Sequence, residues 1–458
     1  MRLDRIMIAA PKSGSGKTTI TCALLQALKD RGKSVVSYKC GPDYIDPMFH
    51  RKVIDIPAKN LDTFFTGEKE TRALFLENRK EDELAVLEGV MGLYDGLGGI
   101  RKEGSSYHLA EVTGTPILLV IDARGMGRSV IPVIAGFLAY DSKHLIKGVL
   151  LNRMSGSYYG TIKPLIEKEL QISVVGYFSE HKELHIESRH LGLCMPDEIG
   201  EVKEKIKRAA CELQKTVSVE QILQIAGEAG ECENTGMTRE VRVQEKEGPV
   251  IAVARDEAFC FYYEDNLLLL QKYGARLRNF SPLYDTKLPD GCSGILIGGG
   301  YPELHGKRLS ENGKMQTAVR QALEGGMPVV AECGGFMYLH SAICGRDGKK
   351  YRMAGVLPGE CHDTGKLVRF GYIEVEDRQG IFMPEGASIK GHEFHYYDSS
   401  CNGESCTVIK PVTGKNYPGV IAGENYWLGF PHLYYPSNPL FPKIFVEKAR
   451  VYQKRKEQ

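Results

Sequence analysis

Chemistry in this sequence concentrates where glycines follow an apolar run. Residues 10–19, APKSGSGKTT, come directly after RIMIA and open an amphipathic stretch ended by Gly32. A strand, a glycine- and serine-rich loop and a helix, in that order, make a phosphate cradle. Backbone N–H groups of Gly14, Ser15 and Gly16 surround a polyphosphate, and the helix N-terminus adds a favourable dipole. Lys17 reaches the terminal phosphates, the Thr18 hydroxyl meets Mg²⁺, and Thr19 belongs to the same nucleotide contact. Phosphoryl transfer also needs carboxylates near such a loop. Two stretches offer them at the C-terminal ends of expected strands, where the ligands of parallel sheets gather. They are KCGPDYIDPMFH (39–50), with Asp43 and Asp46, and LAVLEGVMGLYDG (84–96), with Glu88 and Asp95.

A second chemistry centres on Cys333. In AECGGFMYLH (331–340) the cysteine stands between the end of the apolar run MPVVA and two glycines. A sharp strand-to-helix turn exposes a thiol and sets it near a helix N-terminus, and both favour the thiolate. Upstream, ILIGGGYPELH (295–305) puts three glycines directly after a strand. Gly299 and Gly300 allow N–H groups to face a developing oxyanion, with the Gly334 N–H as a further donor. A cysteine nucleophile needs a base. His340, His362, His392, His395 and His432 all lie downstream. GHEFHYY (391–397) alternates like a strand, and for His392 and His395 a structural role weighs as much as a functional one.

These groups require a scaffold of parallel strands. Strands are expected near 5–10, 34–39, 84–88, 116–121, 147–151 and 173–177, with helices near 17–31, 68–79, 128–140 and 201–214. The pattern restarts with strands near 250–254, 276–280, 294–297 and 328–332, then β segments near 371–377 and 391–397 and a helix near 438–452. Between the blocks, residues 227–248 are polar and lack an apolar face, which reads as a linker. The 458 residues carry a net charge of +1, which offers no field for nucleic acid or an acidic membrane. No apolar run approaches a membrane span, and the N-terminus enters a strand at once, so a cytoplasmic protein is expected. The 12 cysteines show no metal spacing; Cys22, Cys40, Cys211 and Cys260 read as buried apolar side chains.

The loop K-S-G-S-G-K-T, with Pro11 where the usual first glycine stands, is similar to that of the MinD, ParA and dethiobiotin synthetase group. In that group an early lysine, here Lys12, reaches a phosphate across a dimer, and a homodimer stays open on that ground. GGG followed by AECGG resembles class I glutamine amidotransferases. From end to end, APKSGSGKTT, KCGPDYIDP, LEGVMGLYDG, IDARGMGRS, ESRHLGL, VARDEAFCFYY, FSPLYD, GGGYPELH, AECGGFMYL, GHEFHYY and PHLYYPSNP resemble the cobyrinic acid a,c-diamide synthase family.

The resemblance implies an α/β fold of two domains. Residues 1–227 would be a P-loop, dethiobiotin synthetase/MinD-like parallel-sheet domain that binds ATP and a corrinoid. Residues 228–247 would link it to a class I glutamine amidotransferase-like domain, 248–458. It implies ATP, Mg²⁺, glutamine and a corrinoid polycarboxylate as ligands. A substrate carboxylate would become an acyl phosphate, then an amide. Thr18, Asp43, Asp46 and Glu88 would surround the metal, with Asp95 beside the phosphoryl group, and Tyr44 and Ile45 would position the reacting side chain. Cys333 would be the nucleophile and His432 the base. Class I enzymes place a glutamate two residues after that histidine; here Tyr434 stands there. Nickel-sirohydrochlorin and hydrogenobyrinate stay open as substrates, as does a MinD/ParA-like switch ATPase of a different class.

Overall fold

Strands covered on both faces must be apolar throughout, and RIMIA, LAVLE and ILLVID satisfy that condition. The computed structural model describes residues 3–77, 79–80, 82–184, 196–232 and 248–458, at 182 and 196–199 by backbone alone. The segment ESRHLGL and most of the polar stretch 227–248 lie outside the described residues. The chain forms two compact units, Met1–Met237 and Thr238–Gln458.

In the first unit, strands β1 (Arg5–Ala9), β2 (Val35–Cys40), β3 (Ala58–Leu61), β4 (Leu84–Glu88), β5 (Ile117–Asp122), β6 (Ile146–Asn152) and β7 (Ser173–Phe178) form one sheet. Its order is β3-β2-β4-β1-β5-β6-β7. All six pairings are parallel. Helix α1 (Lys17–Asp30) buries Ile20, Leu24 and Leu28 against Ile6, Ile8 and Val120 of the sheet. Helix α2 (Ile45–Phe49) follows β2 and runs on as a π-helical turn, His50–Ile54. The register sets Ile8 and Lys39 on either side of Glu88. Three functional stretches therefore end at one edge of the sheet.

The expected strands of this unit all occur within one or two residues of their sequence positions. The sequence pattern misses β3, whose four residues AKNL carry little strand propensity and are extended by pairing with β2. It also misses the helix Gly156–Leu170, which contains Pro164, a residue that disfavours helix interiors. The helix expected near 68–79 instead spans Thr63–Leu76 and breaks at Gly67, φ 69°. Its N-terminus is set by Asp62, whose carboxylate accepts from the N–H groups of Phe64 and Phe65.

The second unit has a six-stranded sheet in the order Ile421–Gly423, Tyr426–Gly429, β11 (Val329–Glu332), β10 (Cys292–Ile297), β8 (Val250–Ala254), β9 (Arg276–Phe280). All of its pairings are parallel except the one between the first two segments. A five-stranded antiparallel sheet holds Arg369–Asp377, Ala387–His395 and His432–Leu433. The closing helix is Leu440–Glu457. Among the described residues no helix is long and apolar enough to cross a membrane.

One buried cation ties the ends of the first unit together. Arg5, 0% exposed on β1, donates to the carbonyls of Leu3, Thr113, Gly114 and Gly230. Removing it leaves buried carbonyls without donors. Arg5→Ala should destabilise this unit by about 3 kcal/mol, read as a lower urea midpoint for its transition.

Candidate functional site

The phosphate loop is built by two left-handed glycines. Gly14 (φ 75°) and Gly16 (φ 93°) turn the chain between β1 and α1, and Gly16 caps the helix. A side chain on Gly16 would collide with Asn152 at the end of β6, whose Nδ2 donates to the Ser15 carbonyl at 2.8 Å. The Ser15 hydroxyl donates to the Lys12 carbonyl at 3.0 Å. Lys12 itself is exposed. Lys17 lies across the loop, its ammonium donating to the carbonyls of Met91 (2.5 Å) and Lys12 (3.2 Å). Burial, and then the nearby Lys39 charge, bring this ammonium down to about 8. A cavity of about 320 Å³ beside Gly16 and Thr19 is lined by Asn152, Arg153, Phe178 and Glu180, a volume in the range of small-molecule sites.

Next to the loop sits a buried charge cluster. The Thr18 hydroxyl donates to Glu88 Oε1 at 2.8 Å. Lys39 Nζ reaches the same Oε1 at 3.0 Å and Asp46 Oδ2 at 2.6 Å. Burial pulls the Lys39 ammonium down, but Asp46 and then Glu88 outweigh it and hold the pKa well above its ordinary value. Glu88 is pushed up to about 7 by burial and then by Asp46. Burial raises Asp46 as well, but the Lys39 charge and its hydrogen bond carry it below the usual carboxylate range. Asp43 uses Oδ1 to accept from the N–H groups of Ile45 and Asp46, capping α2. Asp95 does the same for the turn at Gly92, at 3.0 Å. Tyr44 is buried, and Ile45 packs against the core of this unit.

Of the residues singled out in the sequence, Lys17, Thr18, Asp46 and Glu88 thus meet in one place. Lys39, at their centre, stands in the quoted stretch KCGPDYIDP, but its type alone does not separate a buried ion pair from a solvated charge. Among the described residues no three His, Cys, Asp or Glu side chains form a metal cage. The donors present, the Thr18 hydroxyl beside Glu88 Oε1 with the Asp46 carboxylate on the same lysine, suit a hard cation that brings phosphate and water ligands of its own.

In the second unit Cys333 sits at the tip of the elbow between β11 and the helix Gly334–Leu339, with φ 46° and ψ −104°. An L-residue there is strained, and strain of this kind marks reactive turns. The turn depends on close backbone approach. A side chain on Gly335 would strike the Ile297 carbonyl, and one on Gly334 would press on Pro302 and the Gly300 N–H. The thiol is not exposed as the sequence suggests; it is only 8% accessible. Burial, followed by the charge of Glu303, pushes it well above the ordinary thiol range. Cys333 is a neutral thiol at rest, because burial in the apolar cluster of this unit removes the water that would solvate a thiolate.

His432 is buried against Gly299, where any side chain would collide with its Cε1. Its ring stacks on His392, centroids 4.9 Å apart and 15° from parallel, because the two are cross-strand neighbours. His392 Nδ1 in turn lies 3.1 Å from the Tyr263 hydroxyl. Burial, then His392 and His395, hold the His432 pKa well below the ordinary range, so the ring is neutral. Tyr434 points elsewhere, donating to Asp265 at 3.1 Å. His395 stacks on Phe430, with Nδ1 at 2.6 Å from the Tyr397 carbonyl.

Glu332, which the sequence reading passed over, links the elbow to the histidine segment. Its carboxyl accepts from the Leu433 N–H, and Tyr435 Oη lies 3.4 Å from Oε1. Burial raises it to about 8, so it is protonated at neutral pH.

Residues 6–193 match the CobQ/CobB/MinD/ParA nucleotide binding domain, and residues 250–436 the CobB/CobQ-like glutamine amidotransferase domain. The cobyrinate a,c-diamide synthase of Dehalococcoides mccartyi is 39% identical, covering 98% of this chain and 99% of its own. The enzyme of that name from Caldanaerobacter subterraneus is 39% identical over 93% of this chain and 92% of its own. That from Listeria innocua is 36% identical, with 95% and 97% covered.

Two outcomes follow from this geometry. Gly299→Ala should displace the His432 ring and lower glutamine hydrolysis about 10²-fold, measured as glutamate release, while leaving the melting temperature within a few degrees. Glu332 holds its proton in the folded chain up to about pH 8, whereas the unfolded chain releases it near 4.5. Its contribution to stability therefore falls as pH rises between those values. Glu332→Gln removes that titration, so its melting temperature should drop less between pH 6 and pH 9 than that of the unchanged chain.

Proposed function

This chain belongs to the cobyrinate a,c-diamide synthase family, and from that premise we propose that it converts the c and then the a acetate side chains of cobyrinate to amides, with ATP and glutamine as co-substrates. As a member of that family it is a carbon–nitrogen ligase of the glutamine amidotransferase type. The observation that carries the proposal is similarity along 98% of the chain rather than over one domain.

The geometry supports a division of labour. In the first unit a substrate carboxylate oxygen attacks the γ-phosphorus of ATP, and ADP leaves with the electron pair of the broken bond. Lys17 leaves the Met91 carbonyl to hold the β- and γ-phosphates. Thr18 and Glu88, with Asp43 and Asp46 nearby, would hold Mg²⁺, which when bound would neutralise charge on those phosphates. Asp95 keeps the adjoining turn in shape, and Tyr44 and Ile45 wall the reacting side chain. A carboxylate is a poor acyl donor, and the acyl phosphate gives it a leaving group. Ammonia then adds to the acyl carbon and phosphate departs, leaving the amide.

The ammonia comes from glutamine in the second unit. The Cys333 thiol passes its proton to His432 as the sulfur attacks the side-chain amide carbon. Backbone N–H groups at Gly299, Gly300 and Gly334 face the oxygen of the tetrahedral intermediate. His432 returns the proton to the leaving nitrogen, and water releases glutamate from the thioester. Starting from a neutral thiol and a neutral imidazole avoids an unpaired buried charge before substrate arrives.

The test is a product-mass assay with Mg·ATP and glutamine, run in parallel on cobyrinate, hydrogenobyrinate and nickel-sirohydrochlorin. Two OH-to-NH₂ exchanges on cobyrinate are expected; exchange on another substrate alone overturns the substrate assignment. Cys333→Ser should lose glutamine-dependent product by at least about 10³-fold and keep ammonia-dependent product. Equal use of both nitrogen sources by that variant would overturn the role of Cys333.

A further inference from the structure

Glu88 uses one of its oxygens twice. Oε1 accepts from Thr18 and from Lys39, whereas Oε2 is buried without a hydrogen-bond partner. Facing it at 3.5 Å is Nε2 of His50, a wholly buried ring whose Nε2 is likewise without a hydrogen-bond partner. The other ring nitrogen, Nδ1, lies 2.9 Å from the Ser37 hydroxyl. Two regular elements bring these groups in as matched pairs. Ser37 and Lys39 are two apart on β2 and share a face of that strand. Asp46 and His50 are four apart on the helical run that begins with α2 and share a face of it. Lys39 meets Asp46, Ser37 meets His50, and Glu88 stands between the two pairs.

We infer that His50 is a positioning residue for Glu88, its Nε2–H holding Oε2 so that Oε1 stays turned toward Thr18 and the phosphate loop. The Ser37 hydroxyl donates to Nδ1, and this fixes the tautomer that leaves the proton on Nε2. A donor and an acceptor buried face to face each carry a desolvation cost that a hydrogen bond removes. Closing the gap to a normal length takes a shift of roughly 0.6 Å, and such contacts often tighten only when substrate is bound. With Oε2 held, the carboxylate cannot rotate away from Thr18. This inference rests on the proposed nucleotide chemistry at that site.

The experiment measures how much Mg²⁺ the full chain needs to bind a fluorescent ATP analogue, a readout independent of turnover. His50→Leu keeps the volume and removes the donor; His50→Gln keeps an N–H close to the Nε2 position. His50→Leu should need at least about tenfold more Mg²⁺ for half-maximal binding, and His50→Gln should stay within about threefold of the unchanged chain. Ser37→Ala removes a single oxygen and decides the matter if His50→Leu does not fold; it should shift the requirement in the same direction. A folded His50→Leu with an unchanged Mg²⁺ requirement overturns the inference alone, as does His50→Gln behaving like His50→Leu. Failure of the unchanged chain to bind the analogue at any Mg²⁺ concentration would instead overturn the nucleotide reading beneath it.

Discussion

A lysine ammonium buried between two carboxylates organises the first unit. Lys39, Asp46 and Glu88 come from a strand, a helix and a second strand, and each is at most 5% exposed. Removing such charges from water costs several kcal/mol per ion, and the cost is recovered only when the partners are held in contact. Neither partner can move without leaving the ammonium uncompensated. The parallel register that sets Lys39 opposite Glu88 is therefore coupled to the placement of α2, and through Thr18 to the start of α1. One buried ion triplet and one hydroxyl bind the phosphate loop to the two acidic stretches.

The second unit buries two groups that carry no charge at rest. Cys333 and His432 are both buried, and burial favours the neutral form of each. Their geometry is held by contacts a side chain would destroy, with Gly299 against the His432 ring and Gly335 against the Ile297 carbonyl. The stack of His392 on His432 and the protonated Glu332 hold the histidine segment in place. Tyr434 is turned to Asp265, and the His432 ring is held by packing and by sheet register, with the Glu393 carboxylate near it.

How much of this was legible beforehand depends on the range of the interaction. The phosphate loop, the elbow and the strands around them are local events, set within ten residues by glycines, apolar runs and a following helix. They read directly from APKSGSGKTT and AECGGFMYLH. β3 was not legible, because its extended form comes from pairing with β2 rather than from AKNL itself. The exposed thiolate expected at Cys333 failed for a related reason. A turn predicts the direction of a side chain, but burial depends on what surrounds the turn, and Cys333 lies in a buried cluster drawn from distant parts of this unit.

Residue types and spacing alone determined the α/β class, the two blocks, the glycine loop before α1 and the elbow at Cys333, since each rests on backbone conformation that neighbouring residues impose. Tertiary structure alone decided which charges meet. Lys39 and Glu88 are 49 positions apart, and His392 and His432 are 40 apart. Nothing local distinguishes them from solvated or structural residues. Their protonation is set by burial and by partners brought across a sheet, and both are properties of the folded chain.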